Sequence, residues 1–382
     1  MITIPNKIEV TITTQTPIWT GNYDRKMDGV KETGVMGSLR WWYEAILRGF
    51  GCYVCDPTEK KDKDKRCNCP ACQVFGCTGW ARQFRMRWYE DEGEKFKLQN
   101  DNDRDYRHDK YFKNQNPKKD KGYYILSRET KKEGGKCKAV FYPQNKKIEN
   151  ILKYLILFLQ KWGGFGARPQ FGYGIFGIEE KDSCKPIVIN DINDIVPKPA
   201  NSSSENIYPD LRDFFFCEFQ LDSKKILADK ETLSRSTTKL PCNCSEDFNY
   251  FTIETKYRIR EALRSTKGIS DAIRHFICGE VHGNDKTSSK IFISRVYDDK
   301  MLIRGYIPKE ASFNNYSRDA ILQCIYVTLG SSGSSSLPGT KTKWIEFDPD
   351  KINTRNMDTK PIYKPGATLK EKYIEWLQYL IQ

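Results

Sequence analysis

Histidine is scarce in this chain: His108, His275 and His282 are the only three among 382 residues. None has a cysteine or serine at a spacing that points to nucleophilic catalysis. Only His275 and His282, on either side of Cys278-Gly279, could serve an acid–base step. His108 and the neighbouring carboxylates Asp103, Asp105 and Asp109 fall in a run of charged residues that reads as a solvated surface. Long apolar stretches are missing too. No run is apolar enough to span a bilayer and no secretory h-region is present, so the expected setting is the cytoplasm, with no membrane partner. An even cysteine count is also lacking. Thirteen cysteines in a reducing compartment argue against a disulfide framework and for free thiols or metal.

Positive charge is abundant. Sixty-three Lys and Arg against 50 Asp and Glu leave a net charge of +13, which favours an acidic partner, nucleic acid first. Aromatic residues make up 13% of the chain, enough for base stacking as well as for a core. The cysteines are clustered: Cys52-x-x-Cys55, then Cys67-x-Cys69-x-x-Cys72, then Cys77. Two C-x-x-C pairs across a loop can wrap a tetrahedral Zn²⁺, and four thiolates with no open position make a structural site. Six candidates exceed four places, so spacing alone does not choose the ligands.

A second signal is the stretch Gly163-Gly164-Phe165-Gly166-Ala167-Arg168-Pro169-Gln170-Phe171-Gly172-Tyr173-Gly174. Five glycines bring backbone N–H groups within reach of a ligand, and an arginine sits among them. Basic and aromatic residues also interleave at Arg40-Trp41-Trp42 and at Trp80-Ala81-Arg82-Gln83-Phe84-Arg85, the mix that grips phosphates and stacks bases. Trp42 falls on the apolar stripe of its helix and reads as core, whereas Trp41 lies off that stripe.

Periodicity orders the elements. Ile8, Val10 and Ile12 alternate with Glu9, Thr11 and Thr13 as in a half-buried strand. A helix is predicted over 35–50, with Arg40, Glu44 and Arg48 as an i,i+4 ladder on a second face. Strands are predicted around Phe84–Trp88, Tyr123–Leu126 and Ala139–Tyr142, a buried helix over Ile148–Trp162 and a strand at 175–178. This βαββαβ order is that of a ferredoxin-like, RRM-like fold. The order recurs after a Pro/Ser-rich linker. It runs through a strand Phe214–Leu221, a helix Thr252–Arg264, a hairpin of Ile291–Tyr297 and Met301–Ile307 turning at Asp298-Asp299-Lys300, a helix Asp319–Leu329, a Gly/Ser loop at 330–339 and a strand Lys343–Phe347. A terminal helix follows over Leu369–Ile381. The fold class is therefore α+β with tandem ferredoxin-like domains. The expected layout is an N-terminal domain over 1–182 with a Cys-rich zinc insertion (51–80) and a polar insertion (90–137). A linker spans 183–212, and 213–382 form a C-terminal domain plus terminal helix.

Three stretches carry a more specific likeness: Glu32-Thr33-Gly34-Val35-Met36-Gly37-Ser38-Leu39-Arg40-Trp41-Trp42, Cys55-Asp56-Pro57-Thr58 and Cys69-Pro70-Ala71-Cys72-Gln73-Val74-Phe75-Gly76-Cys77-Thr78-Gly79-Trp80-Ala81-Arg82. Together with the glycine loop they resemble the RAMP superfamily of CRISPR effectors, and within it the first RAMP subunit of type III-B (Cmr) complexes. The match runs over residues 16–178. It implies tandem RAMP folds and a non-catalytic subunit that caps the 3′ region of a guide RNA, contacts guide and target RNA, and assembles with other RAMP subunits in antiviral defence. The alternative within the superfamily is a ribonuclease that processes guide precursor or cleaves target. The resemblance further implies Cys55, Cys69, Cys72 and Cys77 as zinc ligands, with Cys52 and Cys67 as alternates. It places the RNA contacts at Trp19, at Gly37, Ser38, Arg40 and Trp41 where the first helix begins, and at Arg82, Arg85, Gly164, Gly166 and Arg168.

Overall fold

A computed structural model of the chain describes residues 7–16, 18–20, 30–56, 67–90, 136–167, 169–179, 188, 192–197, 209–222, 250–280, 287–309, 311, 313–330, 339–349, 363 and 366–382. The expected strand Tyr123–Leu126, Arg168, His108, His282, almost all of the polar insertion and the tip of the second Gly/Ser loop lie outside these residues.

The first half forms β1 (Ile8–Thr14), α1 (Glu32–Gly49), α2 (Pro70–Phe75), β2 (Phe84–Glu90), β3 (Lys136–Pro143), α3 (Lys146–Lys161) and β4 (Phe176–Ile178). The second half forms β5 (Phe214–Leu221), α4 (Tyr250–Ser265), α5 (Asp271–Cys278), β6 (Ile291–Ile293), β7 (Lys300–Tyr306), α6 (Arg318–Thr328) and β8 (Gly339–Glu346). Helix α7 (Leu369–Ile381) follows. The sheets run β2-β3-β1-β4 and β6-β7-β5-β8, with every neighbouring pair antiparallel. Both orders are the ferredoxin-like one, so the expected α+β tandem is the observed architecture.

Local chemistry explains the elements. In β1 the alternation puts Ile8, Val10 and Ile12 in the core and leaves Glu9, Thr11 and Thr13 on the outer face, as the two-residue strand period requires. Asn145 caps α3 by accepting from the Ile148 N–H at 3.0 Å. A Thr368/Glu371 capping box starts α7. The β6–β7 hairpin turns through Asp298 (φ 45°) and Asp299 (φ 57°), the two left-handed central residues that match strand twist. Strand β6 is shorter than the predicted Ile291–Tyr297. Past Ile293 the ladder continues only through the Ser294 N–H to the Leu302 carbonyl (2.8 Å) and the Tyr297–Lys300 bridge, and between them the Arg295 N–H bonds to the Gly172 carbonyl at 3.3 Å, tying the second half to the glycine loop.

Strand β5 joins the two halves. Phe214 and Phe216 enter the first-half core, while Phe215, Cys217 and Phe219 enter the second-half core. Burying each phenyl ring contributes about 2 kcal/mol, so both faces of this strand hold cores together. Helix α7 seals the first half: Tyr154 Oη donates to the Leu377 carbonyl at 3.1 Å, Trp162 Nε1 to Leu380 at 2.8 Å, and Tyr373 Oη to Ile46 at 3.1 Å. The terminal helix thus belongs by its contacts to the N-terminal half, although it follows the second domain in sequence.

Candidate nucleic-acid interface and metal centre

The glycine loop leaves α3 and folds back against the start of α1. Ser38 Oγ accepts from the Gly166 N–H at 2.9 Å, the Trp19 carbonyl accepts from Ala167 at 2.7 Å, and the Gly174 carbonyl accepts from Phe165 at 2.9 Å. Phe165 stacks on Phe176 with ring centroids 4.1 Å apart. Two glycines are demanded by this geometry. Gly166 has φ +84° and a Cβ there would lie 2.4 Å from the Trp19 oxygen; Gly174 has φ +95° and its Cβ would lie 2.2 Å from the Phe165 oxygen. The N–H groups of Phe165, Gly166 and Ala167 are therefore taken up by Gly174, Ser38 and Trp19. The expectation of a backbone phosphate cradle needs correction on this point: these glycines serve close chain packing.

That packing leaves a cleft of about 340 Å³ between the halves. Its walls are Trp19, Gly37, Ser38 and Trp41 from the first half, Gly164 to Ala167 with Tyr173 from the loop, and Phe292 and Arg304 from the second half. Trp41 spans the junction, edge-on to Trp42 (4.8 Å), Phe214 (6.0 Å) and Phe292 (6.4 Å). Trp42 is buried, as its place on the apolar stripe implies.

Among the described lining residues Arg304 supplies the cation, and sequence reasoning missed it. Its side chain is 2% exposed, and neither Nε nor Nη1 has a hydrogen-bond partner. Burial pulls its pKa down to about 10, against an opposing pull from Tyr297, so the group is charged at neutral pH. Nη2 lies 3.3 Å from where a Cβ on Gly164 would stand, so the bare glycine makes room for the guanidinium. The signal in the sequence was one arginine inside the apolar run Met301-Leu302-Ile303-Arg304.

Six of the ten predicted RNA contacts thus come together: Trp19, Gly37, Ser38, Trp41, Gly164 and Gly166. Three others lie elsewhere. Arg40 bonds to Glu44 Oε1 (2.8 Å), the Gly76 carbonyl (2.9 Å) and Cys72 Sγ (3.4 Å), so it clamps α2 to α1. Arg82 is exposed beside the cysteine module. Arg85 points outward from β2, on the opposite side of the strand from buried Phe84 and Met86. Helix α1 also begins at Glu32, so Gly37 to Arg40 lie past its first turn and their N–H groups are not free helix-end donors. The Arg40–Glu44–Arg48 ladder is largely buried: Glu44 and Arg48 are in the core, and burial raises the Glu44 pKa in spite of both guanidinium groups.

The cysteine cluster differs from the expected ligand set in one residue. The sulfur atoms of Cys55, Cys67, Cys69 and Cys72 all lie within 4.8 Å of one another. Cys77 instead turns its thiol to the Cys67 carbonyl at 3.7 Å, so Cys67 takes the place expected for Cys77. Cys52 is buried outside the group. Sulfur–sulfur distances of 3.5 Å (Cys55–Cys72) and 3.6 Å (Cys69–Cys55) are close to the edge of about 3.8 Å that four Zn–S bonds of 2.3 Å define. Hydrogen bonds from Cys55 and Cys72 pull the Cys69 thiol down, while the Cys55 and Cys69 contacts push Cys72 up. Four sulfur atoms this close could hold a metal ion, and an all-cysteine donor set suits Zn²⁺.

His275 Nδ1 lies 3.2 Å from Glu280 Oε2 at the end of α5 and does not line the cleft. Among the described residues no helix is long and apolar enough to cross a membrane.

Residues 11–177 match the RAMP superfamily model, a span that contains most of the first sheet, the cysteine module and the glycine loop. No curated protein matches the chain. Among solved structures the chain is similar to Cmr1 from Pyrococcus furiosus in its apo form, at 14% identity and a TM-score of 0.42 over 88% of this chain and 98% of that one. It is also similar to a chain of the type III-B Cmr-beta complex bound to cognate target RNA, at 13% identity and a TM-score of 0.38 over 84% and 99%.

Proposed function

We propose that the chain is a non-catalytic, RNA-binding subunit of a type III-B CRISPR effector complex. It holds the 3′ region of the guide RNA and contacts target RNA in company with other RAMP subunits. The observation that carries this reading is the cleft: aromatic walls from both halves around a buried guanidinium with two unpartnered nitrogens. Aromatic rings offer stacking to any base, and a desolvated guanidinium matches phosphate or a base edge. The match of residues 11–177 to the RAMP superfamily model and the motifs around Gly37–Trp42 and Cys69–Cys77 support it.

Incubating the purified chain, and the complex assembled with it, with guide-precursor and target RNAs tests the reading. The expected outcome is RNA retained intact, with an affinity that falls steeply as salt rises. Cleavage that persists through stringent purification would favour the ribonuclease alternative.

A further inference from the structure

The first sheet has a second face. Helices α1 and α3 cover one side, where Ile8, Val10, Ile12, Phe84, Met86 and Phe141 are buried. The other side carries Arg85, Arg87 and Tyr89 from β2 beside Lys138 and Tyr142 from β3, all exposed. In register, Arg85 lies opposite Tyr142 and Tyr89 opposite Lys138. Tyr89 is 50% and Tyr142 43% exposed, the two most exposed aromatic rings among the described residues. Lys7 lies within electrostatic reach of both. Alternation gives Arg85, Arg87 and Tyr89 a spacing of about 7 Å along the strand, so the row is regular.

Its lysines are paired and, among the described residues, its arginines are not. Glu9 holds Lys7 and Lys138, and Glu179 holds Lys136. Arg85 and Arg87 make neither an ion pair nor a hydrogen bond among the described residues. An exposed face with two guanidinium groups that no described residue pairs, beside exposed rings, suits a polyanion that also offers aromatic faces. A duplex would present only phosphates to the rings; a single strand presents bases.

We infer that this open sheet face is a second binding surface for single-stranded RNA, with Tyr89 and Tyr142 stacking on bases and Arg85 and Arg87 contacting phosphates. It lies on the side of the sheet away from the helices and is independent of the cleft.

The test is fluorescence anisotropy of the full chain with a 5′-fluorescein-labelled uridine dodecamer. Y89A/Y142A lowers affinity at least tenfold, whereas Y89F/Y142F keeps it, because stacking needs the ring and not the hydroxyl. R85Q/R87Q lowers affinity and flattens the salt dependence by about 1.4 in log–log slope, two contacts at about 0.7 each for a single strand. All four side chains are solvent-facing, so unchanged melting temperatures are expected and separate binding from folding. R304M reports the cleft separately. Loss in R304M with no change in either sheet-face pair would overturn this inference and leave the cleft standing. Loss in the sheet-face pairs with no change in R304M would do the reverse. No loss in any variant would overturn both.

Discussion

Replacing Arg304 with methionine should move stability and RNA binding in opposite directions. The side chain is almost fully buried and leaves Nε and Nη1 without partners. Its pKa, pulled from 12.5 to about 10 by burial, corresponds to a penalty of about 3 kcal/mol at roughly 1.4 kcal/mol per tenfold change. The sign follows from the depressed value: the folded state holds this proton less tightly, so the penalty is fully present at every pH below about 10. Methionine has a similar length and no charge, so R304M should stabilise the fold by about 2–4 kcal/mol. RNA affinity should fall by the worth of a charge-assisted hydrogen bond, about 1.5–3 kcal/mol, or about 10- to 150-fold. Guanidinium chloride denaturation followed by tryptophan fluorescence reads the first effect, and anisotropy with a labelled oligoribonucleotide reads the second. A lower denaturation midpoint would mean that the guanidinium is paired in the folded protein. An unchanged affinity would mean that it faces no RNA.

Four other substitutions probe the framework. C67S should abolish zinc binding while C77S leaves about one zinc per chain, read by metal analysis of the purified protein; the reverse would restore Cys77 as the fourth ligand. G166A should destabilise the protein by more than about 2 kcal/mol, because a left-handed φ and a carbonyl at 2.4 Å both oppose the methyl group, and a melting temperature equal to wild type would refute the loop geometry. Burial and the nearby Asp210 carboxylate push the Asp213 pKa up to about 7. The folded state therefore holds that proton after the unfolded chain has lost it, so this contribution to stability is complete below about pH 4 and lost as pH rises through about 7. Denaturation midpoints across that range should decline for wild type and flatten for D213N, and parallel profiles would contradict the burial of Asp213.

Much of the fold was legible because alternation and helical periodicity are local. The strand Ile8–Thr14, the helix after Asn145 and the terminal helix follow from their own residues. The sharing of β5 between two cores was also written in the sequence, since Phe214-Phe215-Phe216-Cys217 is a continuous apolar run and such runs belong to strands buried on both faces. The site was less legible, because it is set by contacts between distant residues. Arg40 looked like an RNA contact from its neighbours Trp41 and Trp42, yet Gly76 and Cys72, more than thirty residues away, capture it. Cys67 and Cys77 have equal claims by type, and only the path of the chain around α2 separates them. Arg304 reached the cleft from the second domain, beyond the segment where motifs directed attention.

The central claim is that the cleft between the halves holds RNA without cutting it. Photo-crosslinking the complex, assembled with a guide carrying 4-thiouridine near its 3′ end, and mapping the adducts by mass spectrometry tests this most directly. The account predicts full-length RNA attached to peptides spanning 34–41 or 163–174. Adducts confined to other parts of the chain, or attached RNA shortened by cleavage at the crosslinked site, would contradict it.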